Sequence, residues 1–219
     1  MIPDLCIFDL DGVIVNTAKY HYLAWKKLAE KLNFDFTEKD NEDLKGVSRK
    51  DSLEILLNYG YKRGLKKHFS EDEKNRMMEE KNKIYIDYID KMDKNEILPG
   101  VTEYFLILKK NKIKIALGSA SKNSLKILEK LAIKDYFDVI IDGNKVKKAK
   151  PDPEVFETAA KQLNVKNQEC VVFEDSKSGI EAAKKCGMKS VGVGNPYVLK
   201  AADKVINGFI NADINLINF

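Results

Sequence analysis

Short unbroken apolar runs alternate with amphipathic stretches along most of this 219-residue chain. Leu5–Leu10, Ile113–Leu117, Val139–Asp142, Cys170–Glu174 and Ser190–Val193 have strand length, and a weaker run surrounds Val205–Ile206. A run that is apolar throughout suits a strand buried on both faces, as in a parallel sheet. Between these runs, Val101–Asn111, Ser121–Leu131, Pro153–Leu163 and Ser176–Cys186 carry the apolar spacing of helices packed on such a sheet. The pattern predicts an α/β, Rossmann-like core with strand ends at Asp11, Ser119 and Asp175 along one edge.

The stretch from Asn16 to Met92 breaks this alternation and holds no convincing strand. It predicts helices over Thr17–Leu32 and Arg49–Tyr59 and a long one ending near Met92. Trp25, Leu28 and Leu32 share one face of the first, and Ser70 with Glu73 forms a capping box opening the last. We read residues 1–15 and 93–219 as the core and 16–92 as an inserted helical cap.

Composition narrows the function classes. The 38 basic and 34 acidic residues give a net charge of only +4, and lysine pairs such as Lys26-Lys27, Lys109-Lys110 and Lys184-Lys185 lie on amphipathic segments. No basic stripe with interleaved aromatics is present, so no nucleic-acid partner is expected. Cys6, Cys170 and Cys186 are too few for a disulfide framework or zinc site and read as small core residues. With no signal-like or membrane-length apolar run, a cytoplasmic monomer away from membranes is expected.

The candidate chemistry begins at Phe8-Asp9-Leu10-Asp11-Gly12. Alternation along a strand would put Asp9 and Asp11 on the same side. Two carboxylates about 4–5 Å apart repel by roughly 3–4 kcal/mol at an effective dielectric near 20. A cation, a shared proton or a nearby lysine would offset that. Aspartate before glycine is also an ordinary turn signal.

Three further pieces stand at predicted strand ends or loops: Gly118-Ser119-Ala120-Ser121-Lys122-Asn123, Lys150-Pro151 and Glu174-Asp175. In that order and spacing, the four pieces resemble the haloacid dehalogenase superfamily of phosphoryl-transfer enzymes over essentially the whole chain. The resemblance implies that Asp9 is the nucleophile and that Asp11 is the general acid and base. It implies magnesium held by the Asp9 carboxylate, the Asp11 backbone carbonyl and Asp175, with Glu174 binding directly or through water. By the same resemblance Lys150 neutralises charge beside Asp9, and the Ser119 hydroxyl donates to a phosphate oxygen. Ala120, Ser121, Lys122 and Asn123 are implied substrate contacts. Asp175 also reads as an N-cap of the following helix, and Ser121 as a simple cap.

Several insertion residues are similar to sugar-phosphate mutases of that superfamily: His21, Trp25, Lys45-Gly46-Val47-Ser48-Arg49, Ser52 and Lys81. The similarity makes Arg49 a clamp for a second, non-reacting phosphate and the other loop residues, with Trp25, Ser52 and Lys81, substrate contacts. His21 and Lys81 would couple cap closure to proton transfer, and Thr17 would join the hinge or simply cap its helix. The implied reaction moves a phosphoryl group between the 1 and 6 positions of glucose, with β-glucose 1,6-bisphosphate as primer and intermediate. A sugar-phosphate phosphatase or a non-catalytic phosphosugar-binding protein on the same scaffold are the alternatives. Asn16 departs from the carboxylate that many superfamily members carry there, and His68 matches no motif and reads as surface.

Overall fold

The computed structural model describes residues 2–44 and 47–219. The chain divides into two compact units, Met1–Asn16 with Met92–Phe219, and Thr17–Lys91.

The first unit is built on six parallel strands: β1 (Leu5–Phe8), β2 (Lys114–Gly118), β3 (Val139–Ile141), β4 (Cys170–Glu174), β5 (Lys189–Val193) and β6 (Lys204–Ile206). Their order across the sheet is β3-β2-β1-β4-β5-β6. β1 sits between β2 and β4, with Phe8 opposite Leu117 on one side and Phe173 on the other. The chain winds outward from β1 through β2 to β3, then crosses back to β4 on the other side. The carboxyl ends of β1 and β4 therefore flank a topological switch point, where α/β sheets open a crevice.

The two faces of the sheet are closed by different residues because successive side chains alternate. On one face Phe8 and Phe173 stack with ring centroids 4.5 Å apart, and Tyr104 and Phe105 meet Phe8 edge-on. On the other, Leu5, Ile7 and Val172 pack with Val155, Phe156 and Ala183. The helices of this unit, numbered in chain order, are α5 (Val101–Lys110), α6 (Ser124–Lys130), α7 (Glu154–Gln162) and α8 (Lys177–Lys185). Cys6, Cys170 and Cys186 are free and buried, as core residues.

The second unit contains α1 (Ala18–Lys31), α2 (Glu38–Asn41), α3 (Arg49–Lys62) and α4 (Glu71–Ile89), and no strand among its described residues. Trp25, Leu28, Phe36, Leu53, Leu56 and Leu57 form its core. The Ser70–Glu73 capping box opens α4, with Glu73 accepting the Ser70 amide at 2.9 Å. Short α2 was not anticipated: its Thr37–Asp40 capping box is fixed by Arg63, whose guanidinium reaches both Asp40 oxygens at 2.8 and 2.9 Å. That anchor is remote in sequence, so no local pattern announces it. No helix among the described residues is long and apolar enough to cross a membrane.

Two element boundaries differ from the sequence pattern, and both matter for the site. β1 ends at Phe8, not Leu10, so the pleat does not place Asp11. The chain instead folds back there, with Gly12 donating to Val15 O and Val15 to Leu10 O. α6 begins at Ser124 rather than Ser121. The Ser119–Asn123 stretch is a turn held by its own hydroxyls, Ser119 Oγ accepting the Ser121 amide and Ser121 Oγ the Asn123 amide.

Candidate active site

Asp9 follows β1 directly and is buried, its amide donating to Phe173 O on β4 at 2.9 Å. Lys150 reaches it from the loop before α7. Its ammonium donates to Asp9 Oδ1 at 2.6 Å, Glu174 Oε1 at 2.5 Å and Gly118 O at 2.9 Å, with Phe156 beneath it at 4.8 Å. The ends of three adjacent strands thus converge on one buried cation. Burial works against the charge on Lys150, but the Asp9 and Glu174 carboxylates outweigh it and raise its pKa. Burial drives the Asp9 carboxyl well above its ordinary range; Lys150 opposes this, while Glu174, Asp175 and Asp11 add to it.

Both oxygens of Glu174 have protein partners. One oxygen holds Lys150 and the other accepts from the Ser176 amide at 2.9 Å and the Ser176 hydroxyl at 2.8 Å. Its carboxylate fixes Lys150 and the start of α8. Ser176 was not anticipated, although a serine opening a helix after two acids is a legible cap signal. The N-cap of α8 is also Ser176, which accepts from the Gly179 amide at 3.1 Å, and not Asp175. Asp175 is exposed on one side and crowded on the other. Burial of its carboxyl, then Glu174 and Asp11, push its pKa up to about 7.

Gly12 is the close neighbour that makes this crowding possible. Its φ is +81°, and a Cβ there would lie 2.0 Å from Asp175 Oδ2. Only glycine leaves room for that carboxylate beside the turn. Among the described residues no three His, Cys, Asp or Glu side chains converge as a metal cluster. The implied set asks for less, two carboxylates and one backbone carbonyl. Hard oxygen donors in excess of the single Lys150 charge fit a hard divalent cation, which binds through one or two carboxylates together with substrate phosphate.

Ser119 is buried at the end of β2, its amide bound to Ile141 O at 3.0 Å. Ala120 and Lys122 are exposed and Ser121 and Asn123 half-buried in the following turn.

The second unit gathers another set. His21 Nδ1 lies 2.7 Å from Lys81 Nζ, and Lys81 Nζ stands 4.9 Å over the Trp25 ring and 4.8 Å over Tyr85. A lysine nitrogen donates, so Nδ1 is the acceptor and the imidazole proton sits on Nε2. Burial first, then Lys81 and Arg49, hold the His21 pKa well below its usual value. Its low pKa makes stability fall in acid: as pH drops below about 6.5 the unfolded chain takes up a proton that folded His21 refuses. Wild type should therefore lose up to about 1 kcal/mol per pH unit below 6.5 relative to His21→Asn. Thermal unfolding of both proteins from pH 7.5 to 5 checks this, and parallel curves would refute it.

Thr17 is buried before α1, but its hydroxyl makes no capping bond there and instead accepts from Tyr85 Oη at 3.1 Å. Trp25, implied as a substrate contact, is 2% exposed and belongs to the core, where its ring carries Lys81. Ser48 caps α3, accepting the Asp51 amide and donating to Asp51 Oδ2 at 2.7 Å. Ser52 is buried on α3, and Val47 is exposed. Arg49 is half-buried, donating to Asn82 Oδ1 at 2.8 Å, and burial lowers its pKa. Asn82 and Tyr85, which belong to the same stretch of resemblance as Lys81 but had no role assigned, are the partners of Arg49 and Thr17, and Tyr85 lies four residues after Lys81 on the same face of α4. Lys45 and Gly46 lie outside the described residues. His68 is exposed, its ring 5.1 Å from Tyr61.

Residues 6–193 match the family model described as haloacid dehalogenase-like hydrolase. The chain belongs to that family. Among characterised relatives, "Beta-phosphoglucomutase" of Bacillus subtilis is 42% identical over 212 residues, covering 97% of this chain and 92% of that protein. "Phosphorylated carbohydrates phosphatase" of Thermotoga maritima is 35% identical over 188 residues, 84% of this chain and 82% of its own length. A crystal structure of β-phosphoglucomutase from Clostridium difficile superposes with a TM-score of 0.89 at 48% identity, covering 100% of this chain and 96% of that one. The family assignment agrees with the six-stranded parallel sheet and its helices.

Proposed function

We propose that this chain is a magnesium-dependent β-phosphoglucomutase, interconverting β-D-glucose 1-phosphate and D-glucose 6-phosphate through phosphorylated Asp9 and β-glucose 1,6-bisphosphate. The observation that carries the chemistry is Asp9 at the switch point, held by Lys150 2.6 Å away. The near-full-length similarity to the Bacillus subtilis and Clostridium difficile proteins supports the choice of substrate and of mutase over hydrolase.

In this reading phosphorylated Asp9 gives its phosphoryl group to the 6-hydroxyl of β-glucose 1-phosphate, and Asp11 takes the proton of that hydroxyl. The bisphosphate then presents its other end. Asp9 attacks the phosphorus at the 1-position, the bond from phosphorus to the sugar oxygen breaks, and Asp11 returns the proton to that oxygen. Glucose 6-phosphate leaves and Asp9 is phosphorylated again. Asp9, the Asp11 backbone carbonyl and Asp175 would hold magnesium, whose positive charge would stabilise the phosphoryl oxygens when bound. Lys150 adds its own charge beside the nucleophile, and the Ser119 hydroxyl donates to the same phosphoryl group. Arg49 binds the phosphate that is not reacting, since a guanidinium suits bidentate phosphate recognition.

Phosphorus NMR of the purified protein with β-glucose 1-phosphate, magnesium and a trace of bisphosphate tests the reading. Glucose 6-phosphate should accumulate. Free phosphate without glucose 6-phosphate would replace it by a phosphatase, the activity in the name of the Thermotoga relative. Arg49→Ala should raise KM for β-glucose 1-phosphate by about tenfold or more, the loss of a charge-assisted contact, while Asp9 remains open to phosphorylation by acetyl phosphate. An unchanged KM would remove Arg49 from the phosphate.

A further inference from the structure

The substrate turn Ser119–Asn123 begins no helix of its own until Ser124, so something outside it must fix its carbonyls. The residues after β3 do this together with Ser124, whose hydroxyl donates to Ser121 O at 2.8 Å. Gly143 donates its amide to Ser121 O at 3.2 Å, and Asn144 Nδ2 donates to Lys122 O at 3.0 Å. Asn144 is itself locked to Asp142, its amide 3.0 Å from Oδ1 and its Nδ2 3.2 Å from Oδ2. Asp142 is 6% exposed, so the lock is built into the end of β3 and not onto a loose loop. The fit is tight: a Cβ on Gly143 would stand 2.2 Å from Ala120 O.

We infer that Asp142, Gly143 and Asn144 act as positioning residues, pinning the carbonyls of Ser121 and Lys122 so that the turn presents a fixed surface to the sugar phosphate. The inference rests on the proposed function, in which Ser119–Asn123 contact the substrate. The Asp142-Asn144 pair opens the connection that carries Lys150 further along, and its one side-chain bond beyond the pair ends on a main-chain atom of the substrate turn. A displacement of about 1 Å at a substrate-positioning segment is enough to cost up to about a hundredfold in catalytic efficiency.

Asn144 is exposed, so its substitution tests the pin with little risk to folding. Asn144→Ala removes the donor to Lys122 O. Asn144→Asp puts an acceptor against both Lys122 O and Asp142 Oδ2 and should be worse. With β-glucose 1-phosphate, magnesium and bisphosphate, KM should rise severalfold in Asn144→Ala and about tenfold in Asn144→Asp, with kcat within about twofold in each. A purely structural role would lower the melting temperature and leave that split absent. KM unchanged in both variants, or kcat reduced with KM constant, overturns the inference. Wild type run alongside separates the two readings. If it only releases phosphate from the ester, the mutase reading fails, and the same variant-to-wild-type KM ratios, taken from phosphate release, still decide the pin. If wild type turns over no ester, calorimetric titration with glucose 6-phosphate supplies the ratios as Kd, and equal affinities overturn the pin.

Discussion

Asp9→Asn should abolish turnover, by at least about 10⁴-fold, and abolish the hydroxylamine-labile phosphoenzyme seen by phosphorus NMR. The amide keeps the shape of the side chain but has no anionic oxygen to attack phosphorus. The same change should raise the melting temperature at neutral pH in the presence of a chelator. Asp9 is buried with Glu174, Asp175 and Asp11 close enough to disfavour its charge, and its raised pKa means that the ionised form costs the folded state stability. Lys150 keeps Glu174 as a partner after the substitution, so no cation is stranded. Activity lost and stability gained together mark a group kept for chemistry. Residual turnover well above background, or a marked fall in melting temperature, would contradict the nucleophile assignment.

Lys150→Met should reduce kcat by about 10³-fold and destabilise the protein by about 3–5 kcal/mol, or roughly 10 °C in melting temperature. Methionine fills the space above Phe156 but leaves Asp9 and Glu174 facing one another without the charge between them. Breaking a buried ion pair from one side is costly because the remaining charge is still out of water. The stability loss should shrink when Asp9→Asn is added, since one of the two orphaned carboxylates is then neutral. Denaturant melts of the four proteins in that cycle check this, and strictly additive losses would show that Lys150 does not act through Asp9.

Much of the site was legible in the chain because it is assembled from segment ends. β1, β2 and β4 are buried on both faces, so each reads as a plain apolar run, and each functional piece follows such a run. The end of β1 was misjudged for a local reason: the chain already turns after Phe8, so Asp11 is placed by the turn at Gly12, against which Asp175 packs, and not by the pleat. The Ser121 boundary failed because serine hydroxyls offer the backbone a turn in place of a helix. Trp25, placed with Leu28 on one apolar face by its helical spacing, is buried with it in the core of the second unit.

Local residue order by itself therefore determined the class of fold, the parallel strands, the helical insertion and the four pieces that carry phosphoryl chemistry. The order of strands across the sheet, the pairing of Glu174 with Lys150, the Lys81–His21 contact and the bond from Asn144 to the Ser119–Asn123 turn were decided only by tertiary structure. Periodicity and capping act over a few residues and are written in the chain. A hydrogen bond between Lys150 and Asp9 spans 141 positions and exists only once the sheet has brought those strand ends together.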